Sequence, residues 1–75
     1  MNNVRNEQVI KSFGKKLWVL RNARGWSQEE LANRAGIPLS QIGRIERGEV
    51  NVTISTQQAL ATALEIAIRE LLTFD

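Results

Sequence analysis

The sequence predicts an all-α domain, and three observations predict it. Apolar residues recur at helical spacing between Val9 and Leu20, two short helical segments separated by a glycine-bearing turn follow Trp26, and a further helical segment opens at Thr53. With 75 residues the chain fits one domain spanning 1–75, its core lying within 10–72, with no room for a separate effector domain.

The elements follow in order. Residues 1–5 are mostly polar and read as disordered. Asn6 is placed to cap a helix that runs to about Ala23, with Val9, Ile10, Phe13, Leu17 and Leu20 as its apolar stripe. Gly14 inside that helix costs about 1 kcal/mol relative to Ala, which points to close packing against a neighbour. Lys11, Lys15 and Lys16 lie off the stripe, and so do Trp18 and Val19, where polar residues are expected. Trp18 is therefore read either as a partner contact or as a ring folded over a neighbouring helix. Gly25 ends the helix.

Ser27 then caps a second helix, and Glu30 three residues later completes a capping box, with Trp26 and Leu31 at the hydrophobic-staple positions. Leu31, Ala32 and Ala35 form one apolar face, and the small Ala32 lets another helix cross closely. Gly36 ends this helix because glycine enters the left-handed region without a Cβ penalty. Pro38 suits the start of the next, where a missing N–H leaves nothing unpaired. Ile42 and Ile45 bury the inner face of that third helix, and Gly48 stops it. The outer face carries Ser40, Gln41, Arg44 and Arg47, a donor-rich and uncrowded surface that suits a DNA major groove.

From Trp26 to Gly48 the pattern closely resembles the helix-turn-helix of the Cro/C1-type (XRE) family of phage repressors: a small residue, a glycine and two branched aliphatics fall where that family places them. The resemblance extends over roughly residues 10–72 and implies a compact five-helix, lambda-repressor-like domain whose chemistry is recognition of double-stranded DNA. It implies that Arg21 and Glu46 form a structural ion pair between the first helix and the recognition helix. Asn51 and Thr53 resemble the Asn-x-Thr element of restriction–modification controller proteins, where the loop touches the phosphate backbone; a helix cap and turn account for the same residues equally well. The helix that Thr53 opens is expected over about Ile54–Leu64, packed through Ile54, Leu60, Ala61 and Leu64. Gln57 stands where the family usually has leucine. Glu65 stands where it often has glycine, so the fourth and fifth helices are expected to run closer to continuous.

Within this frame each outward residue has a candidate role. Gln28 opens the first motif helix, where its side chain and the backbone N–H groups can hold a phosphate. Ser40 and Gln41 lie in the first turn of the recognition helix, and a glutamine there can bond the N6/N7 edge of adenine. Arg44, one turn on, is the candidate for guanine O6/N7. Leu39 stands where the family often has a polar base reader, and either meets a thymine methyl or shields the turn. Gly43 either opens space for backbone approach or is merely tolerated. Arg47, Lys15 and Lys16 are phosphate candidates, with solvated surface charge as the competing reading.

Ile66, Ile68, Leu71, Leu72 and Phe74 are too many to fit beneath so small a domain, so this segment is expected to pack on a second copy as a two-fold homodimer. Such a dimer sets two recognition helices about 34 Å apart on a roughly palindromic operator. Residues 11–47 carry eight Lys/Arg against three Glu, a balance of 8 − 3 = +5, and residues 48–75 carry one Arg against four Asp/Glu, a balance of 1 − 4 = −3. That asymmetry assigns one half to phosphate and the other to protein. With no cysteine and no histidine, the chain lacks a thiol nucleophile, a thiolate metal site and the usual general base. No enzyme activity, metal or cofactor is expected. No run of 18 apolar residues occurs, so no membrane partner is expected, and the expected location is the cytoplasm, at the nucleoid.

The leading reading is a sequence-specific transcriptional regulator, of the restriction–modification controller or autoregulatory repressor kind. Its rivals are the antitoxin of a toxin–antitoxin pair, with Trp18 and the apolar C-terminus meeting a toxin, and a protein-interaction module on the same fold.

Overall fold

Asn6 starts the first helix: its side chain accepts a hydrogen bond from the Val9 N–H at 3.0 Å, which satisfies one of the unpaired donors at a helix start. The computed structural model describes residues 4–74, and residues 1–3 of the stretch read as disordered lie outside the described residues. Arg5 donates from Nη2 to the Glu49 carbonyl at 3.1 Å. The helices are α1 (Glu7–Ala23), α2 (Gln28–Ala35), α3 (Leu39–Glu46), α4 (Ile54–Leu64) and α5 (Ile68–Leu71), and among the described residues there is no strand. The predicted all-α, five-helix architecture is the one observed. No helix among the described residues is long and apolar enough to cross a membrane.

α3 packs against both α1 and α2, α2 also meets α4, and α5 closes on α4 and α1. The seam between them is filled by Phe13 and Leu17 from α1, Leu31 and Ala32 from α2, Ile42 and Ile45 from α3, Leu60, Ala61 and Leu64 from α4, and Leu71 from α5. Their burial away from water drives the fold, at about 1.5–3 kcal/mol for each large side chain.

Local chemistry sets the remaining boundaries. Ser27 Oγ accepts from the Glu30 N–H at 3.0 Å, but only this half of the capping box forms, because the Glu30 carboxylate reaches forward to Arg34 Nε at 2.7 Å. Gly36 ends α2 at φ 69°, and the Ile37 N–H returns to the Ala32 carbonyl at 3.1 Å. Pro38 sits just before α3 in extended backbone (ψ 140°) rather than inside its first turn. Thr53 caps α4, its side chain accepting from the Thr56 N–H at 3.1 Å.

Several expectations are corrected. Ile54, expected in the core, is 76% exposed: it is the first residue of α4, and side chains there tilt towards the helix start, beyond the edge of the core. Gln57 is partly buried one turn later and donates from Nε2 to the Val52 carbonyl at 3.0 Å, so the departure from leucine is accommodated by a backbone acceptor. Val9 lies at the margin of the α1 stripe and is exposed. α4 and α5 are not continuous. Glu65 adopts the left-handed conformation (φ 58°), and the Ile66 N–H returns to the Ala61 carbonyl at 3.0 Å, the closure that Gly36 gives α2. Leu71, expected at a dimer interface, is fully enclosed in the protein's own core; Ile66, Ile68 and Phe74 are partly buried against that core, and Leu72 is 47% exposed.

At Gly14, α1 and α3 approach closely. A Cβ at this position would overlap the Ile45 carbonyl oxygen and stand 2.9 Å from that of Glu46. Both neighbours are backbone, which cannot swing aside. Gly14→Ala is therefore expected to destabilise the protein by about 1–3 kcal/mol through overpacking, although helix propensity alone favours Ala by about 1 kcal/mol. The urea-unfolding midpoint decides the sign, and a midpoint raised by the substitution contradicts the close approach.

Candidate nucleic-acid interface

The helix-turn-helix is built from the Gly36 turn outwards. α3 has only eight residues, about 12 Å of rod, too short to be stable alone, so its orientation is set by what it packs on. Ile42 and Ile45 are enclosed against α1 and α2, and this turns Ser40, Arg44 and Arg47 outward, all three exposed. Gln41 is half-buried. Leu39 is exposed at the start of the helix. Among the described residues the side chains of Ser40, Gln41 and Arg44 make no hydrogen bond to the protein.

The inner end of α3 is held by one carboxylate. Glu46 accepts from Arg21 Nε at 2.6 Å and Arg21 Nη2 at 2.9 Å, a fork-on-fork pair with side chains 3% and 9% exposed respectively. Arg21 Nη1 also donates to the Trp26 carbonyl at 2.7 Å. The hydrogen bond that Arg21 donates to Glu46 raises the pKa of its guanidinium above the ordinary value, against the opposing effect of burial. Gln28 Nε2 donates to the same carboxylate at 3.0 Å. The Gln28 side chain, expected to hold a phosphate, is thus turned inward onto Glu46, and its backbone N–H at the start of α2 is what remains for an anion. Sequence reading missed this bond, since nothing in the spacing between Gln28 and Glu46 signals it.

The other phosphate candidates divide. Arg47 lies on the outer face, but its Nε donates to Glu49 Oε2 at 2.7 Å, and that bond holds the Glu49 carboxyl below the usual carboxylate range. Its guanidinium folds back over α3, and a Cβ on Gly43 would meet Arg47 Nη1 at 3.0 Å and Gln28 Oε1 at 3.6 Å. Gly43 therefore makes room for these two side chains. Lys15 and Lys16 line an open groove of about 410 Å³ together with Ser12, Val19, Thr73 and Phe74. Thr53 is engaged as the α4 cap, and Asn51 is exposed beside a shallow cleft shared with Val9, Val50, Val52 and Leu72.

Trp26 is the other feature that sequence reading underestimated. Arg34 lies 4.2 Å and Arg24 5.7 Å from the centre of its ring, and Arg24 also donates to the Leu64 carbonyl at the end of α4. Arg24, beside that ring, thus ties the α1–α2 corner to α4. Trp18 is 51% exposed, with its carbonyl accepting from Asn22 Nδ2 at 2.8 Å.

The helix-turn-helix family model matches residues 20–71. Over 53 residues the chain is 47% identical to the control protein C.SmaI of Serratia marcescens, a match that covers 71% of this chain and 63% of that protein. It is 35% identical over 60 residues to the HTH-type transcriptional regulator SutR of Escherichia coli, covering 80% of this chain and 34% of the regulator. The match thus spans less than two thirds of the length of either curated relative. Among solved structures it superposes on the restriction-modification controller protein C.AhdI from Aeromonas hydrophila with a TM-score of 0.81 at 45% identity, covering 88% of this chain and 98% of that one. The hypothetical transcription factor NHTF from Neisseria gives a TM-score of 0.82 at 30% identity, with 97% and 85% covered.

Removing one member of the Glu46 cluster tests its place in the fold. Arg21→Ala leaves a buried carboxylate with only Gln28 as side-chain donor, and the expected cost is about 3–5 kcal/mol, most of the stability of a domain this small. Thermal unfolding by circular dichroism reads it, and a melting curve superimposable on wild type refutes the role.

Proposed function

The chain belongs to the helix-turn-helix family of Cro/C1 type, and from that membership we propose that it is a transcriptional regulator of the restriction–modification controller kind, binding double-stranded DNA sequence-specifically as a homodimer in the cytoplasm, at the nucleoid. One observation carries the reading: on a single eight-residue helix, Ile42 and Ile45 are sealed inside while Ser40 and Arg44 stand outside without a protein partner among the described residues. That division is what a groove-entering helix needs, since base edges are read by donors that no intramolecular acceptor has already claimed.

In this mechanism α3 enters the major groove with its first turn leading. Ser40 and Gln41 reach base edges, Leu39 meets a thymine methyl, and Arg44 offers its fork to a guanine. The backbone N–H of Gln28, the Asn51–Thr53 loop and Arg47 contact phosphates and set the register. Lys15 and Lys16 are left to the groove against Phe74, and no phosphate role is proposed for them. The dimer forms on the face where Leu72 stands exposed beside Val9, Val50 and Val52, while Ile66, Ile68 and Phe74 are partly buried against the protein's own core. C.SmaI and C.AhdI are control or controller proteins by name, and their likeness to this chain favours the controller role over an antitoxin.

Two experiments test this reading. Operator duplexes selected from a random library are expected to bind wild type with steep loss of affinity as salt rises, and Arg44→Ala to lose about 1–3 kcal/mol while relaxing preference at one base position per half-site. Operator affinity unchanged in Arg44→Ala removes that residue from the readout. In sedimentation at micromolar concentration the wild type is expected as a dimer and Leu72→Glu as a folded monomer with weakened operator binding; a wild-type monomer overturns the dimer.

A further inference from the structure

Glu49 lies just past the recognition helix, and neither family resemblance nor charge balance gives it a role. Its position is built rather than incidental. Its N–H donates to the Arg44 carbonyl at 2.9 Å, closing the end of α3, and its carbonyl accepts from Arg5 Nη2 at 3.1 Å. Gly48 beside it is buried, with the Lys11 side chain packed so closely that a Cβ would stand 2.6 Å from Lys11 Cγ. With its backbone pinned on both sides, the side chain delivers a carboxylate to Arg47, at 2.7 Å from Nε and 3.5 Å from Nη2. The Arg47 guanidinium in turn lies along the outer surface of α3 over Gly43, on the side that faces the groove in the DNA-binding reading.

A carboxylate and a DNA phosphate offer the guanidinium the same planar pair of acceptor oxygens. Resting on the DNA-binding reading above, we propose that Glu49 is a specificity-determining residue: it acts as an internal competitor for backbone phosphate at Arg47, so that one phosphate contact forms only by displacing an ion pair. Phosphate contacts supply the sequence-independent part of affinity, whereas base contacts supply the discrimination. A carboxylate that occupies Arg47 lowers the first without touching Ser40, Gln41 or Arg44. Glu49 thereby widens the ratio of operator to non-operator binding.

The test uses the full chain and a short random-sequence duplex, with affinity followed by fluorescence anisotropy across a salt series. Glu49→Gln keeps the shape and removes the charge. It is expected to bind this duplex more tightly than wild type at low salt and to lose about three- to fourfold more affinity between about 50 and 200 mM salt, the dependence that one further phosphate contact adds. Glu49→Ala is expected to give the same steeper slope. In an Arg47→Ala background, Glu49→Gln is expected to change nothing, because the carboxylate acts through that guanidinium. Parallel salt plots for Glu49→Gln and wild type overturn the proposal, and so does an effect of Glu49→Gln that persists without Arg47. Wild type that fails to bind duplex at any salt overturns the DNA-binding reading itself, which separates the two failures. The pair is exposed, so matching melting temperatures for the variants confirm that affinity rather than folding is being read.

Discussion

The Glu46 carboxylate is the point on which the helix-turn-helix turns. It is the last residue of α3, and it receives two N–H groups from Arg21 on α1 and one from Gln28 on α2. Taking a carboxylate and a guanidinium out of water costs several kcal/mol per ion, and only near-complete hydrogen bonding offsets that. Here it is nearly complete: the Arg21 fork is matched by both carboxylate oxygens, its third nitrogen is occupied by the Trp26 carbonyl, and no buried side-chain polar atom among the described residues lacks a partner. Such a cluster adds little net stability over apolar packing. What it does is favour this arrangement of three helices, which brings donors from α1 and α2 to one acceptor at the end of α3.

The close approach of α1 and α3 follows from the same choice. Gly14 lets the carbonyls of Ile45 and Glu46 settle against α1 where any side chain would hold them off, and Arg21 reaches the Glu46 carboxylate from about two turns further along α1. A short helix held along its inner face by Ile42 and Ile45, and at its end by Glu46, has little freedom left to rotate. The outer face inherits that rigidity, so Ser40 and Arg44 stand on a fixed rod. A site on a rigid element loses less entropy when it engages a ligand than one on a loop.

How much of this was legible in the sequence depends on how far apart the interacting residues lie. The caps at Asn6, Ser27 and Thr53 were readable because a cap is a contact between neighbours, and Gly36 was readable because the left-handed region selects glycine. The outward set on α3 was readable from helical spacing alone. Which of the candidate side chains are free was not: the bond of Gln28, on α2, to Glu46 and the folding of Arg47 onto Glu49 depend on where α2 and the loop after α3 lie in space. Lys15 and Lys16 show the same limit, since spacing placed them off the α1 stripe but not against Thr73 and Phe74. Ile54 and Val9 misled because apolar character marks a core position only where the helix overlaps its neighbours, and both lie at a margin.

Glu65 shows why the end of the chain departs from expectation. A non-glycine residue in the left-handed region costs roughly 1–2 kcal/mol, so a local reading favours letting α4 run on. Running on would carry Leu71 away from α1 and α4. Turning at Glu65 brings Leu71 to complete burial and lays Ile66 and Ile68 against the core. Leu71 alone offsets the strain, at about 1.5–3 kcal/mol for a fully buried leucine, and the two isoleucines add to the margin. The turn also decides which apolar residue is left outside. Leu71 is the last residue of the single-turn α5 and Leu72 its C-cap (φ −104°, ψ 4°), so seating Leu71 inside leaves its neighbour at the exposed end of the helix, beside Val9. The exposed patch proposed to meet a second copy is thus the geometric remainder of closing the core with so short a helix.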